Sequence, residues 1–349
     1  MKKIKHYYDI REDLEKYSDA WCYIIIGGNS TGKTYSTLWH EYTENRPFAF
    51  VKRTNDDVDI LCASNKKVDL SPFKAINRDK GIDVGCQKVT KGIGAFYNRV
   101  DGEVDGTPIG YVMSLNAVGS VKGFDVSEIK DIIFDEFIPQ PWERTDRREG
   151  DKTLVLYRTV SRDREHRGEE PLRLICLANA TRIFNPLLEV LELVDVVTNM
   201  KINNKTYWYD RGIMIHLLDD MDDFKEEERN TAIMRAMSDT DWGQMALNND
   251  FAYDDFSCVG HTSLKGYIPK YGFLYKKKTW FVYEKNQNVY ICHSKADVKI
   301  YDLSREVEQK AFYLDKVLNL KNAMVDNRVL CSDYTCYNLI FNYKKYFVI

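Results

Sequence analysis

The pattern of apolar and polar positions divides the chain. Up to about residue 200, short runs that are wholly or mostly apolar occur at 21–26 (Trp-Cys-Tyr-Ile-Ile-Ile), 47–51, 129–134 and 172–177, with long polar stretches between them. Runs of this kind predict strands buried on both faces of a parallel sheet. Residues 96–100 and 110–115 predict two more strands, and Asp101-Gly102 in the link predicts a hairpin. Residues 1–20 read as a short helical arm, and 35–42 and 151–165 as helices. Residues 54–92 are polar and broken by Gly and Pro, with one short helix around 72–77.

Asn185-Pro186 breaks the chain, and 187–218 mix helical and strand patterns. The acidic run at 219–228 leads into an amphipathic run at 229–237, which reads as a helical connector closed by 242–256. From 257 onward the pattern alternates: 271–278 and 279–284 predict paired antiparallel strands, 289–293 a third, and 306–320 a helix. The expected architecture is α/β with a parallel-sheet core over residues 1–200, a helical linker or lid over 201–256, and a small α+β domain over 257–349.

One stretch supplies chemistry. Gly27-Gly28-Asn29-Ser30-Thr31-Gly32-Lys33-Thr34 fits G-x-x-x-x-G-K-[ST] between a predicted strand and a predicted helix. Glycines at 27 and 32 let backbone N–H groups turn toward phosphate oxygens, Lys33 reaches the β/γ-phosphates, and the Thr34 hydroxyl ligates Mg²⁺. The apolar run at 129–134 then delivers Asp135 at a strand end, where α/β sheets bind ligands. Asp135 is placed to hold the metal through water, and Glu136 to polarise an attacking water. A water-activating carboxylate favours ATP hydrolysis over phosphorylation of a small molecule. Residues 65–68 (Asn-Lys-Lys-Val) lack the Asp of a guanine-reading motif, which disfavours a GTPase.

Several other side chains are candidates. Lys52 and Arg53 end the second predicted strand and can contact nucleotide, a neighbouring subunit or solvent. Lys122 lies in a glycine-bearing loop, as a phosphate or intersubunit contact or as a solvated lysine. Arg158, Arg162, Arg164 and Arg167 lie at or beyond a helix end. They complement the helix dipole, or one of Arg162 and Arg164 enters the site of a neighbour. Asn179 ends the strand at 172–177 and can sense the γ-phosphate.

Composition narrows the class. The 349 residues are 44% hydrophobic and 13% aromatic, enough for packed cores and unlike a disordered chain. No apolar run approaches the ~18 residues of a membrane span, and the eight cysteines form no C-x-x-C pair, which fits a reducing cytoplasm and no structural zinc. The net charge of −3 hides an asymmetry: residues 257–349 carry 15 Lys and Arg against 8 Asp and Glu, and the rest carry 35 against 45. A basic C-terminal part is suited to a polyanion. Within it, Lys276-Lys277-Lys278 between Tyr275 and Trp280 is a candidate for nucleic-acid backbone contact.

Taken in order, the series from Ile24 to Thr34, Ile132-Ile133-Phe134-Asp135-Glu136-Phe137, Thr159 to Glu165, Leu174 to Ala180 and Asn185-Pro186 resembles the genome-packaging ATPases of small podophages, the phi-29-like motors. The resemblance implies an additional-strand P-loop ATPase domain, a helical linker and a C-terminal domain similar to a ribonuclease-H-like nuclease. It implies a ring, pentameric in the type member, that docks on the capsid portal in the host bacterial cytoplasm and drives double-stranded DNA inward with ATP and Mg²⁺. By motif, Arg162 matches the family's trans-acting arginine, which raises it above Arg164, and Lys122 falls where the family has a trans-acting lysine. A working nuclease of this kind needs carboxylates around two metals, the first on its opening strand. Residues 271–278 contain no Asp or Glu, so a non-cutting domain is expected. A nucleic-acid-dependent ATPase or helicase without a capsid is the alternative.

Overall fold

The computed structural model describes residues 7–63, 69–117, 119, 126–140, 142–143, 145–219, 221–240, 243 and 254–347. Contacts divide the chain into two units, residues 1–191 with 199–253 and residues 192–198 with 254–349.

The first unit is built on a nine-stranded sheet. Its strands are β1 (Cys22–Gly27), β2 (Phe48–Lys52), β3 (Val84–Thr90), β4 (Ile93–Val100), β5 (Glu103–Ser114), β6 (Asp131–Asp135), β7 (Arg173–Asn179), β8 (Tyr207–Asp210) and β9 (Ile213–Leu217). They lie in the order β3-β4-β5-β2-β6-β7-β1-β9-β8. The six from β5 to β9 are parallel, and β3, β4 and β8 add antiparallel edges. β1 is buried along its whole length because strands flank it and both faces are covered. On one face Tyr23 and Ile25 pack in a core with Leu14 of α1 (Ile10–Lys16) and Leu38 of α2 (Lys33–Thr43).

The apolar runs fold as strands, as the pattern predicts, and Asp101-Gly102 is the β4–β5 hairpin turn, with both residues at positive φ. The polar stretch at 54–92 holds more structure than predicted. Thr54 and Asp57 form a capping box that starts α3 (Asn55–Leu61), α4 spans Lys74–Lys80, and β3 follows. β3 escapes the pattern because it is an edge strand whose second half is exposed. The helix expected at 151–165 begins and ends earlier, as α5 (Glu149–Ser161). Asn185-Pro186 starts a helix, α6 (Pro186–Val190), with Asn185 as N-cap and proline at its first turn.

The expected helical linker at 201–256 needs correction. Its first part forms β8 and β9, and β9 pairs in parallel with β1. Burial explains why: all five residues of β9 are covered, including His216. Helices α7 (Asp222–Arg229) and α8 (Ala232–Met237) follow in the same unit.

The second unit has a five-stranded sheet of β10 (Ile268–Tyr275), β11 (Lys278–Lys285), β12 (Asn288–Cys292), β13 (Ile300–Asp302) and β14 (Val329–Cys331), ordered β13-β10-β11-β12-β14. The meander β10-β11-β12 is antiparallel as the alternation predicts, but β13 and β14 pair in parallel at its two edges. The helical run from Glu306 to Val325 contains a π turn at Tyr313–Val317.

Candidate nucleotide site

The loop Gly27–Thr34 joins β1 to α2 by a tight reversal, with Ser30 at φ 61° and Gly32 at φ 93°. At Gly32 a Cβ would meet the Tyr7 side chain at 3.1 Å as well as being strained, so glycine is needed there twice over. Gly32 caps α2 without a side-chain bond, so the first N–H groups of the helix face the loop's mouth.

Lys33 is buried under the loop. Its Nζ donates to Gly28 O at 2.7 Å, to Thr31 Oγ1 at 3.2 Å and to Asn179 Oδ1 at 3.2 Å. Burial lowers its pKa to about 8, against the raising influence of Asp135. The Thr34 hydroxyl donates to Asp135 Oδ1 at 2.9 Å, so the two predicted metal-holding groups meet across two elements. Asn179 reaches Lys33 because β7 lies between β1 and β6. A hydroxyl, a carboxylate and backbone N–H groups around one opening suit Mg²⁺ with a phosphate chain.

Glu136 follows β6 at φ 55°, a left-handed conformation costly for a non-glycine residue, with its side chain 64% exposed. Lys52 spans both acids, its Nζ 3.0 Å from Asp135 Oδ2 and 3.0 Å from Glu136 Oε2. Burial pulls this ammonium down, but the two carboxylates more than offset it and its pKa lies above the ordinary lysine value. Arg53 donates to Glu149 at 2.8 Å and to the carbonyls of Glu136 and Phe137 at 3.0 and 3.3 Å, fixing the turn that carries Glu136. Both basic residues thus bind within their own chain.

A cleft of about 940 Å³ opens over the loop. Its lining includes Tyr7 of the N-terminal arm and also Tyr35, Trp39 and Arg78, which no motif in the sequence marks. The N-terminal arm is fastened there by Tyr8 N to Thr31 O at 3.0 Å and Ile10 N to Ser36 Oγ at 2.8 Å. Behind it, buried Asp13 accepts the Tyr8 hydroxyl at 2.8 Å and lies 2.8 Å from Nδ1 of His216.

The remaining candidates separate. Arg162 caps the end of α5 at φ 45° and ψ −131°, and lines a hollow with Ser127, Glu128, Arg167 and Glu169. Arg164 is only 1% exposed and donates to the carbonyls of Ser127, at 2.8 Å, and Ile129. It is unavailable to a neighbour. Lys276 and Lys277 are exposed in the β10–β11 turn, with Lys276 Nζ 5.3 Å from the Tyr275 ring centroid. Lys278, less exposed than these two, pairs at 3.0 Å with Asp195, which also accepts Thr335 N. Lys122 lies outside the described residues. Among the described residues no cluster of three His, Cys, Asp or Glu is placed to hold a metal, and no helix is long and apolar enough to cross a membrane.

Residues 3–334 match the protein family described as Podovirus DNA encapsidation protein (Gp16). The chain belongs to this family. A DNA packaging protein of Bacillus phage B103 is 34% identical over 155 residues, which is 43% of this chain and 44% of that protein. A DNA packaging protein of Bacillus phage phi29 is 31% identical over 156 residues, 43% of this chain and 42% of its own length. The chain therefore spans less than half the length of these curated relatives in alignment. In solved structures, the fold is similar to a chain of "The bacteriophage Phi-29 viral genome packaging motor assembly", with TM-score 0.65 and 21% identity over 97% of this chain and 98% of that one. It is also similar to a chain of "The Phi-28 gp11 DNA packaging Motor", with TM-score 0.60 and 17% identity over 98% and 97%. These likenesses are of fold: a mixed α/β chain with a parallel sheet.

Proposed function

We propose that this podoviral encapsidation-family chain is an ATPase subunit of a homo-oligomeric ring, a pentamer by family resemblance, that drives double-stranded DNA through a portal into a preformed capsid in the host bacterial cytoplasm. The observation that carries the reading is the meeting of Lys33, Thr34, Asp135 and Asn179 at one end of a parallel sheet. The interposition of β7 between β1 and β6 supports the additional-strand class of P-loop ATPase.

In this reading the loop N–H groups and Lys33 bind the phosphates of ATP, and Thr34 and Asp135 hold Mg²⁺. The metal supplies charge neutralisation on the phosphate oxygens. Glu136 orients and polarises the attacking water, for which its exposed, strained position is suited. Asn179, already bonded to Lys33, senses the γ-phosphate. Tyr7, Tyr35 and Trp39 offer aromatic faces to the base.

Arg162 serves the site of a neighbouring subunit. It shares a hollow with Ser127 and Glu128, which precede β6, whereas its own Asp135 ends that strand. The rise from Ile129 to Asp135 is roughly 20 Å, beyond the reach of one side chain. A cation there stabilises charge on the transferring phosphoryl group only across an interface.

The second unit is read as a ribonuclease-H-like module that binds nucleic acid without cutting it, through groups such as Lys276 and Lys277. β10 carries no Asp or Glu. Asp333 is engaged by Trp280 Nε1, Ser332 Oγ and Cys336 N.

The test is ATP-dependent protection of DNA from nuclease by capsids. Wild type should protect the genome and Lys33→Ala should not. Unwinding of the duplex by the wild-type ring would overturn the translocase reading in favour of a helicase.

A further inference from the structure

Two features of the turn after α5 belong together. Arg162 has φ 45° and ψ −131°, a combination that a residue with a Cβ keeps only when its surroundings impose it. Two residues on, Arg164 sends its guanidinium into the interior, where it is 1% exposed. Its acceptors are main-chain carbonyls of another segment, Ser127 O at 2.8 Å and Ile129 O, while Glu169 Oε2 is 3.9 Å from its Nε. A guanidinium withdrawn from water is costly unless hydrogen-bonded, and an apolar side chain would fill the space without that cost. What the arginine adds is a directional tie between the turn and the backbone that leads into β6.

The turn is closed from its own side as well. Arg164 N donates to Ser161 O at 3.1 Å, and Arg164 O accepts from Arg167 N at 3.0 Å and Glu169 N at 3.1 Å. Arg162 is therefore the residue between the end of a helix and a buried anchor, with no slack to relax its backbone.

We infer that Arg164 is a positioning residue for Arg162: its buried tie to Ser127 and Ile129 holds the turn in the strained form that presents Arg162 to the neighbouring subunit. The inference rests on the trans role proposed for Arg162. It makes Arg164 necessary for hydrolysis in the next subunit's site and dispensable for nucleotide binding in its own.

The test is subunit complementation, read as DNA-stimulated ATPase of assembled rings. Lys33→Ala subunits lack a working loop but keep the turn. Mixed with Arg162→Ala subunits, they should restore activity at the junctions that pair an intact loop with an intact turn. Arg164→Met should be inactive alone, bind a fluorescent ATP analogue within about twofold of wild type, and recover with Lys33→Ala to the level of the Arg162→Ala mixture.

Failure of the Arg164→Met mixture beside recovery of the Arg162→Ala mixture would overturn the inference alone, as would full activity of Arg164→Met by itself. No recovery in the Arg162→Ala mixture would overturn the trans reading and the inference with it. Arg164→Lys keeps the buried charge with a changed donor geometry and covers the case in which Arg164→Met does not fold. It should lower ring turnover at least fivefold with nucleotide binding unchanged, and unaltered turnover would refute the assignment.

Discussion

Lys52→Met removes one ammonium from the nucleotide site and keeps most of the side chain's length. Lys52 Nζ stands 3.0 Å from an oxygen of Asp135 and 3.0 Å from one of Glu136. At an effective dielectric constant of about 20, each contact is worth roughly 5 kcal/mol of gross Coulomb attraction, most of which desolvation cancels. The Glu136 side chain is 64% exposed, so its pair contributes under about 1 kcal/mol net. Lys52 and Asp135 are 15% and 12% exposed, so leaving Asp135 without its cation costs about 3 kcal/mol. In a unit of this size that lowers Tm by roughly 8 °C. Mg²⁺ with a non-hydrolysable ATP analogue brings positive charge back to the same carboxylate. The deficit should therefore be large in chelator and shrink by at least half with Mg²⁺ and analogue, measured by thermal melts of both proteins. An equal deficit in the two conditions would refute the charge-replacement reasoning.

Four further outcomes are expected. Lys33, with its pKa lowered to about 8 by burial, must be protonated to hold phosphate; analogue affinity should fall about tenfold per pH unit above that value, and a flat profile to pH 9.5 would contradict it. By the same shift the unfolded chain holds more protons between the folded and unfolded values, so this group's contribution to stability rises with pH from about 8 toward 10.5 and is lost as pH falls back. Arg162→Gly relieves the backbone at φ 45° and should raise stability by about 1–2 kcal/mol while abolishing ring ATPase, checked by denaturant melts and turnover together. Asp13→Ala removes the acceptor of the Tyr8 hydroxyl and the partner of His216, for a loss of about 2–4 kcal/mol and weaker analogue binding through the arm; unchanged binding would disconnect the arm from the cleft.

The parts of the site that were legible are those whose chemistry is local. The loop declares itself because glycines, Lys33 and Thr34 must follow one another, and Asp135-Glu136 because the run before them is unmistakably a buried strand. What pairs with what is not local. Lys52 looks like any strand-end lysine until β2 is set beside β6. Arg162 and Arg164 are not separated by spacing; the family resemblance favours the first, and the burial of the second supplies the physical distinction. The arm over the cleft follows from a carboxylate at position 13 finding an imidazole at 216, which no periodicity records. β9 was obscured for the same reason: His216 is polar in the sequence and buried in the sheet.

The place of β9 also sets when this protein can fold during synthesis. Cys22 is paired with Leu174 on one side and Ile213 on the other, so the strand that ends in the phosphate loop waits for most of the first unit to leave the ribosome. A fragment cut at residue 200, where a P-loop domain was expected to end, would leave the apolar β1 as a bare sheet edge. Such an edge recruits other chains, so a stable, nucleotide-binding fragment has to extend beyond Leu217.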